Sequence, residues 1–192
     1  MEGTLAVTGD PEADHLVNTD PLALLLGMLL DQQIPMERAF IAPLWLQARL
    51  GCRLDAAAIA AADPDAFAAI FRQQPALHRF PKSMAARVQA ACAHVVAEHG
   101  NDAAAIWTAA ADGADLRARL RAVPGYGDEK ARIFIAILAK RLDIRPAGWE
   151  QAAGAFADDN PRSVADIDGP DSFTRVRAWK QAQKAAKRTK SE

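Results

Sequence analysis

Cysteine is almost missing from this chain: its 192 residues hold two, Cys52 and Cys92. Two thiols cannot build a four-cysteine metal site, and such sparse use fits a reducing, cytoplasmic setting. Cys92 falls in an apolar helical stretch and is expected in the core. Alternating β-branched residues are also scarce, whereas alanine is abundant, so an all-α fold is expected. No Lys or Arg precedes Arg38, although Glu2, Asp10, Glu12, Asp14, Asp20 and Asp31 all lie in that part. An acidic start with no basic n-region is not a signal peptide. Long apolar runs are absent too. The longest, Pro21 to Leu30, is far too short to cross a bilayer. His78, His94 and His99 share no metal-like spacing with a carboxylate, so no metal and no cofactor is expected. A soluble, cytoplasmic monomer follows as the expectation.

What is present is an ordinary globular balance, 51% hydrophobic and 24% charged. The length suits one large domain or two closely packed small ones, with a core that needs no covalent staples. Net charge is −1, so binding to nucleic acid would depend on a local basic patch. The far end supplies one candidate in Arg175, Arg177, Lys180, Lys184, Lys187, Arg188 and Lys190.

Along the chain, residues 1–19 read as a loose lead-in, with Gly9, Pro11 and Asn18 as breakers. Asp20 and Pro21 then cap and open a helix that is apolar nearly all round and ends at Asp31-Gln32-Gln33-Ile34-Pro35. A helix over 36–50 follows, with Phe40, Leu44 and Trp45 as its expected buried face, Pro43 inside and Gly51 at its end. Two short alanine-rich helices come next, each preceded by an aspartate. Ser83 is the expected cap of a long helix that Gly100 stops. A short helix over 102–111 carries Trp107 as a core anchor. After residue 142 the pattern predicts a helix from Gly148 to near Asp158 and a polar, turn-rich stretch over 159–169. A last helix begins at Asp171 or Ser172, docked by Trp179 and running into the basic tail over 170–192.

The segment from Asp115 to Leu142 organises the rest. Leu116, Leu120 and Val123 share one helical face, and Pro124 ends that helix. Gly125 and Gly127 flank Tyr126, which predicts a tight turn using positive φ angles. A second helix follows at once, with Ile133–Ile137 and Phe134–Leu138 as stacked pairs. Glycines at a helix N-terminus let backbone N–H groups approach an anion such as a phosphate. The same glycines would also serve a plain bend.

Val123-Pro124-Gly125-Tyr126-Gly127 with Lys130-Ala131 resembles the helix-hairpin-helix of the base-excision DNA glycosylases, the superfamily of endonuclease III and the alkyladenine glycosylases. The helix ending in Asp31-Gln32-Gln33-Ile34-Pro35 resembles that family's early helix, whose terminal glutamine lies at the mouth of the base pocket. The resemblance covers roughly residues 20–160. It implies a helical domain over 20–169 with a cleft between two helical portions, and double-stranded DNA, with or without a damaged base, as partner. Pro124, Gly125, Tyr126, Gly127 and Lys130 would meet the DNA backbone, Gln33 and Gln32 the space of an extruded base. Lys82 and Arg87 would line the DNA-facing side. The cysteine-free C-terminal third excludes the iron–sulfur loop that many relatives carry.

The chemistry implied is hydrolysis of an N-glycosidic bond, in which a carboxylate stabilises an oxocarbenium-like transition state. Bifunctional relatives add a lysine two residues after the second hairpin glycine, where this chain has Glu129. Lys130 stands one residue later, turned by about 100° on a helix. The family's aspartate slot holds Ala147 and Gly148. Glu150, in the first turn of the next helix, and Glu129 are the candidate catalytic carboxylates, and both would also suit a solvated surface. Three readings remain open. They are a monofunctional DNA glycosylase, a catalytically inactive lesion-binding protein, and a helical interaction module whose Asp128-Glu129 pair repels phosphates.

Overall fold

The computed structural model describes residues 3–189, with side chains to Ala186. Lys190 lies outside the described residues, as do the side chains of Lys187 and Arg188. All regular structure among the described residues is helical, with no strand. The helices are α1 (Pro11–Thr19), α2 (Pro21–Leu30), α3 (Met36–Leu50), α4 (Ala56–Ala61), α5 (Pro64–Arg72) and α6 (Pro81–His99). They continue with α7 (Ala105–Thr108), α8 (Gly113–Ala122), α9 (Asp128–Arg141), α10 (Trp149–Ala153) and α11 (Pro170–Thr189). None is long and apolar enough to cross a membrane.

Aspartate starts many of them. Asp10, Asp20, Asp55, Asp63 and Asp112 each accept backbone N–H groups at the head of a helix, meeting donors that have no partner within the helix. Gly51 and Gly100 stop α3 and α6 in the left-handed conformation, which a residue without Cβ adopts at low cost.

The expected loose lead-in is folded. Pro11, read as a breaker, is the first residue of α1, where its missing N–H costs nothing. Asn18, the other breaker, holds the preceding segment: its side chain accepts from Leu5 N and donates to Leu5 O, at 3.0 and 2.8 Å. That segment runs on to Arg141 and Ile167 through backbone bonds from Thr4 and Ala6, and Leu5 and Val7 are buried.

Other expectations are also corrected. Pro81, and not the residue after Ser83, opens α6, and its N-cap Phe80 makes no side-chain cap. On α3 the buried face is Ala39, Phe40, Ala42 and Leu46, with Leu44 and Trp45 half-buried. α10 ends at Ala153 and gives way to a 3-10 turn over Gly154–Phe156. The 159–169 stretch is built of bends and a 3-10 turn, in line with its turn-rich sequence, and a buried ion pair between Lys140 and Asp166 at 2.7 Å ties it to α9, where Lys140 also donates to Asp158 O. α11 starts at Pro170, which places Asp171 and Ser172 in its first turn. Val176 is its fully buried anchor, while Trp179 is half-buried beneath the Arg162 guanidinium.

Every residue of α2 from Leu22 to Leu30 is buried, which explains why its sequence lacks a polar face. α1, α3, α6 and α9 surround it. On one side α4 and α5 pack on α6; on the other, α8, α10 and the 3-10 turn Val164–Asp166 pack on α9. The two sides share one hydrophobic core.

Candidate functional site

The α8–α9 hairpin is built as the glycines predict at one position and differently at the other. Gly125 has φ +90, and a Cβ there would lie 2.6 Å from Leu29 Cδ1. Both backbone angle and close approach therefore require glycine. Gly127, expected at positive φ, has φ −81 and ψ 176, and a Cβ on it would meet nothing within 4 Å. Its exposed backbone leads into α9, whose N-terminus has no side-chain cap.

Tyr126 turns inward. It is 5% exposed, and its hydroxyl donates to Leu25 O at 2.6 Å. The outward surface of the turn is thus glycine backbone, and the phenol of Tyr126, one of the residues named for DNA contact, faces α2. Asp128 accepts from Arg117 Nε and a terminal nitrogen at 2.9 and 2.6 Å, with Arg121 at 3.7 Å. Arg117 holds that carboxyl below its usual range. Glu129 is exposed.

The other half of the site is the C-terminal end of α2. The last carbonyls of a helix lack partners within it, and here Lys130 reaches across from α9 to meet them. Its ammonium donates to Met28 O, Leu29 O and Asp31 O at 2.5, 2.9 and 3.0 Å. An ammonium has three protons, so all of them are used, and a cation at this end also suits the helix dipole. Burial lowers the Lys130 pKa to about 8, opposed by the Asp31 carboxylate; the group stays protonated at neutral pH. Lys130 is thereby engaged with the protein's own backbone, and the lysine expected to meet a phosphate has no proton left for one.

Gln32 and Arg87 also meet here. Gln32 donates to Leu29 O at 2.9 Å and accepts from Arg87 at 2.7 Å. Buried His78 closes the loop from the far side. The Phe80 N–H donates to His78 Nδ1, so Nε2 carries the ring proton and donates to Gln32 O at 2.9 Å. Burial lowers the pKa of that imidazole. Gln33 follows with φ +57 and is exposed. Pro35 restricts the residue before it and keeps the chain from re-entering a helix until Met36.

Two hollows flank Gln33-Ile34-Pro35. One, about 510 Å³, has Asp31, Gln33 and Glu37 on one wall and Arg177, Lys180 and Lys184 of α11 on the other. The second, about 400 Å³, is lined by Arg38, His78 and Arg79 among others. Beside it stands Phe80, 43% exposed, with the Arg79 guanidinium 4.9 Å from its ring centre.

Gly125, Tyr126, Lys130, Gln32, Gln33 and Arg87 therefore converge, although they come from three separated stretches. Pro124 is half-buried within the same turn. Lys82 is exposed in the first turn of α6 and makes no bond to this cluster. Glu150 is exposed on α10, and neither it nor Glu129 lines either hollow. Asp31 does, and sequence reading passed over it as a mere helix end. A carboxylate at the negative end of a helix dipole is locally unfavourable, and that mismatch is the signal that could have marked it. No group of three or more His, Cys, Asp or Glu among the described residues could hold a metal ion. Compared with protein-family models, curated proteins and solved structures, the chain matches none.

Proposed function

We propose that this protein binds duplex DNA and hydrolyses the N-glycosidic bond of a damaged base, as a monofunctional DNA glycosylase of helix-hairpin-helix type. The observation that carries the reading is the joining of the glycine hairpin to the Gln32-Gln33 loop. Lys130 and Tyr126 bond α2 from the hairpin, and Arg87 bonds Gln32 from α6. One surface then offers an uncapped helix N-terminus for a phosphate and an exposed glutamine for the space of an extruded base.

Full use of the Lys130 protons by backbone carbonyls argues against a Schiff-base lyase step, which needs a free amine. Pairing of Asp128 with Arg117 and Arg121 reduces the acidic charge at the turn and weakens the interaction-module reading. One observation favours the inactive lesion-binding reading: Glu129 and Glu150 are both exposed and outside the hollows beside Gln33.

The test is incubation of the protein with duplexes carrying uracil, hypoxanthine, alkylated purines or oxidised purines, followed by alkali cleavage. Base release from at least one duplex is expected. Binding without release from any of them would select the lesion-binding reading. Affinity should fall with salt, with a log–log slope of about −0.9 per phosphate neutralised. A protein with no salt-dependent DNA binding would exclude both repair readings. Gly127→Leu, at a position with open space around it, should keep the melting temperature and weaken binding by blocking the α9 N-terminus.

A further inference from the structure

Within that glycosylase reading, we infer that Asp31 is the catalytic carboxylate and that the groove between the end of α2 and α11 receives the extruded nucleotide. Four observations lead there. Asp31 lines a groove of about 510 Å³ together with Gln33, the residue expected at the mouth of a base pocket. Its carboxyl oxygens are not taken up in bonding: among the described residues no hydrogen bond reaches them, the helix end is closed by Lys130, and the carboxylate meets that ammonium only as a nearby opposite charge. The facing wall is cationic, with Lys180 and Lys184 of α11 and Arg177 bordering Glu37 at 3.8 Å. Those cations suit the phosphates on either side of an extruded sugar. Finally, Lys180 is seated at the groove, its ammonium 3.7 Å from Met36 Sδ.

Charged groups from three elements act on Asp31. They are Lys130 from α9, Lys180 from α11 and Glu37 from α3, with Arg177 and Lys184 further along the groove. Burial pushes the Asp31 carboxyl above its ordinary range, Lys180 and Lys130 pull it back, and Glu37 adds to the rise. A carboxylate shifted toward neutrality is a stronger base.

The step balances without any co-reactant except water. The bond between the sugar C1′ and the base nitrogen breaks, and its electron pair leaves with the base, which takes a proton from solvent. The Asp31 carboxylate stabilises the positive charge that develops on the sugar. Water then bonds through its oxygen to C1′ and gives its proton to Asp31, which returns it to solvent. The products are free base and a sugar hemiacetal.

The experiment uses the full chain and a duplex whose lesion the wild type releases. Asp31→Asn should lower single-turnover base release by about 100-fold or more, with Kd for the same duplex within threefold. Asp31→Glu, which keeps the charge, should recover part of the rate. The wild-type rate should fall as pH drops through a value above the ordinary carboxylate range, and the residual rate of Asp31→Asn should lack that limb. If Asp31→Asn does not fold, the reduced rate at unchanged Kd and a displaced pH limb in Asp31→Glu carry the test.

Equal loss of rate and affinity, full activity of Asp31→Asn, or loss of rate in Glu150→Gln with Asp31→Asn unaffected would each overturn the assignment and leave the glycosylase reading standing. A wild type that releases no base from any duplex removes the glycosylase reading and this inference with it.

Discussion

At its N-terminal end α2 is closed by its own cap. The Asp20 carboxylate accepts from Leu22 N and Ala23 N at 2.9 and 3.0 Å, and Pro21 fills the first position. At the C-terminal end the closing group comes from elsewhere in the chain. Lys130, between 99 and 102 residues away, donates to three carbonyls, and His78 and Arg87 fix the loop beyond. A self-capped end has nothing left to offer a partner. The end that depends on distant groups can be held in a shape local interactions would not choose, such as Gln33 at positive φ with Asp31 facing a groove. Binding geometry of this kind is supported by surrounding structure and not by the strained segment itself.

Variants at the two ends separate these modes of closure. The largest effect is expected for Gly125→Ala, which would place a Cβ 2.6 Å from Leu29 Cδ1 at a φ of +90. Strain and overpacking together should cost about 2–4 kcal/mol, read from denaturant unfolding. Lys130→Met should cost about 2–3 kcal/mol, because three carbonyls lose their donor at once. A loss below about 0.5 kcal/mol would mean that water closes this end just as well, and the contrast between the ends would disappear.

Acid provides the next probe. His78 has its pKa lowered by burial, so the unfolded chain binds this proton more tightly than the folded one. Stability is then fully present above the ordinary value of 6.5 and is lost as pH falls below it, by at most about 1.4 kcal/mol per pH unit. A protonated ring would also lose the acceptor for the Phe80 N–H. His78→Gln should flatten this part of the pH–stability curve, and an unchanged curve would assign the dependence to another group.

Smaller effects remain. Asp20→Ala should cost about 1 kcal/mol, the usual worth of an N-cap, and leave DNA affinity unchanged in gel-shift titration. Smallest of all is Gly127→Ala, expected within about 0.5 kcal/mol of wild type, since its φ is ordinary and the space is open. A large loss there would show that the two hairpin glycines share one structural duty.

Much of the helical layout was legible because its signals are local. Asp20-Pro21, Asp55, Asp63, Gly51 and Gly100 mark the boundaries they were read to mark. The same Asp-Pro pair stands at Asp10-Pro11, yet with Gly9 and Asn18 nearby Pro11 reads as a breaker, and only the bonds from Asn18 to Leu5 show why the segment is ordered. Cys92 was legible from its apolar surroundings: it is buried, and its thiol is pushed up to about 12 by desolvation. Of the candidate site, Gln32, Gln33, Lys130, Tyr126 and Arg87 were named individually. Their bonds to one another and to α2 were not legible, because no local pattern says which carbonyl a lysine will find. The inward turn of Tyr126 was not legible for the same reason, since its partner Leu25 O lies 101 residues away in the chain.

The amino-acid sequence alone determined the all-helical character, most starts and stops, and the burial of α2 on every side. These follow from interactions spanning a few residues and from the lack of a polar stripe. Tertiary structure alone decided that Gly125 is required while Gly127 stands free, that Lys130 is engaged with α2, and that Asp31 opens into a groove walled by α11. Each of those outcomes joins groups far apart in the chain, and packing sets them after the helices have formed.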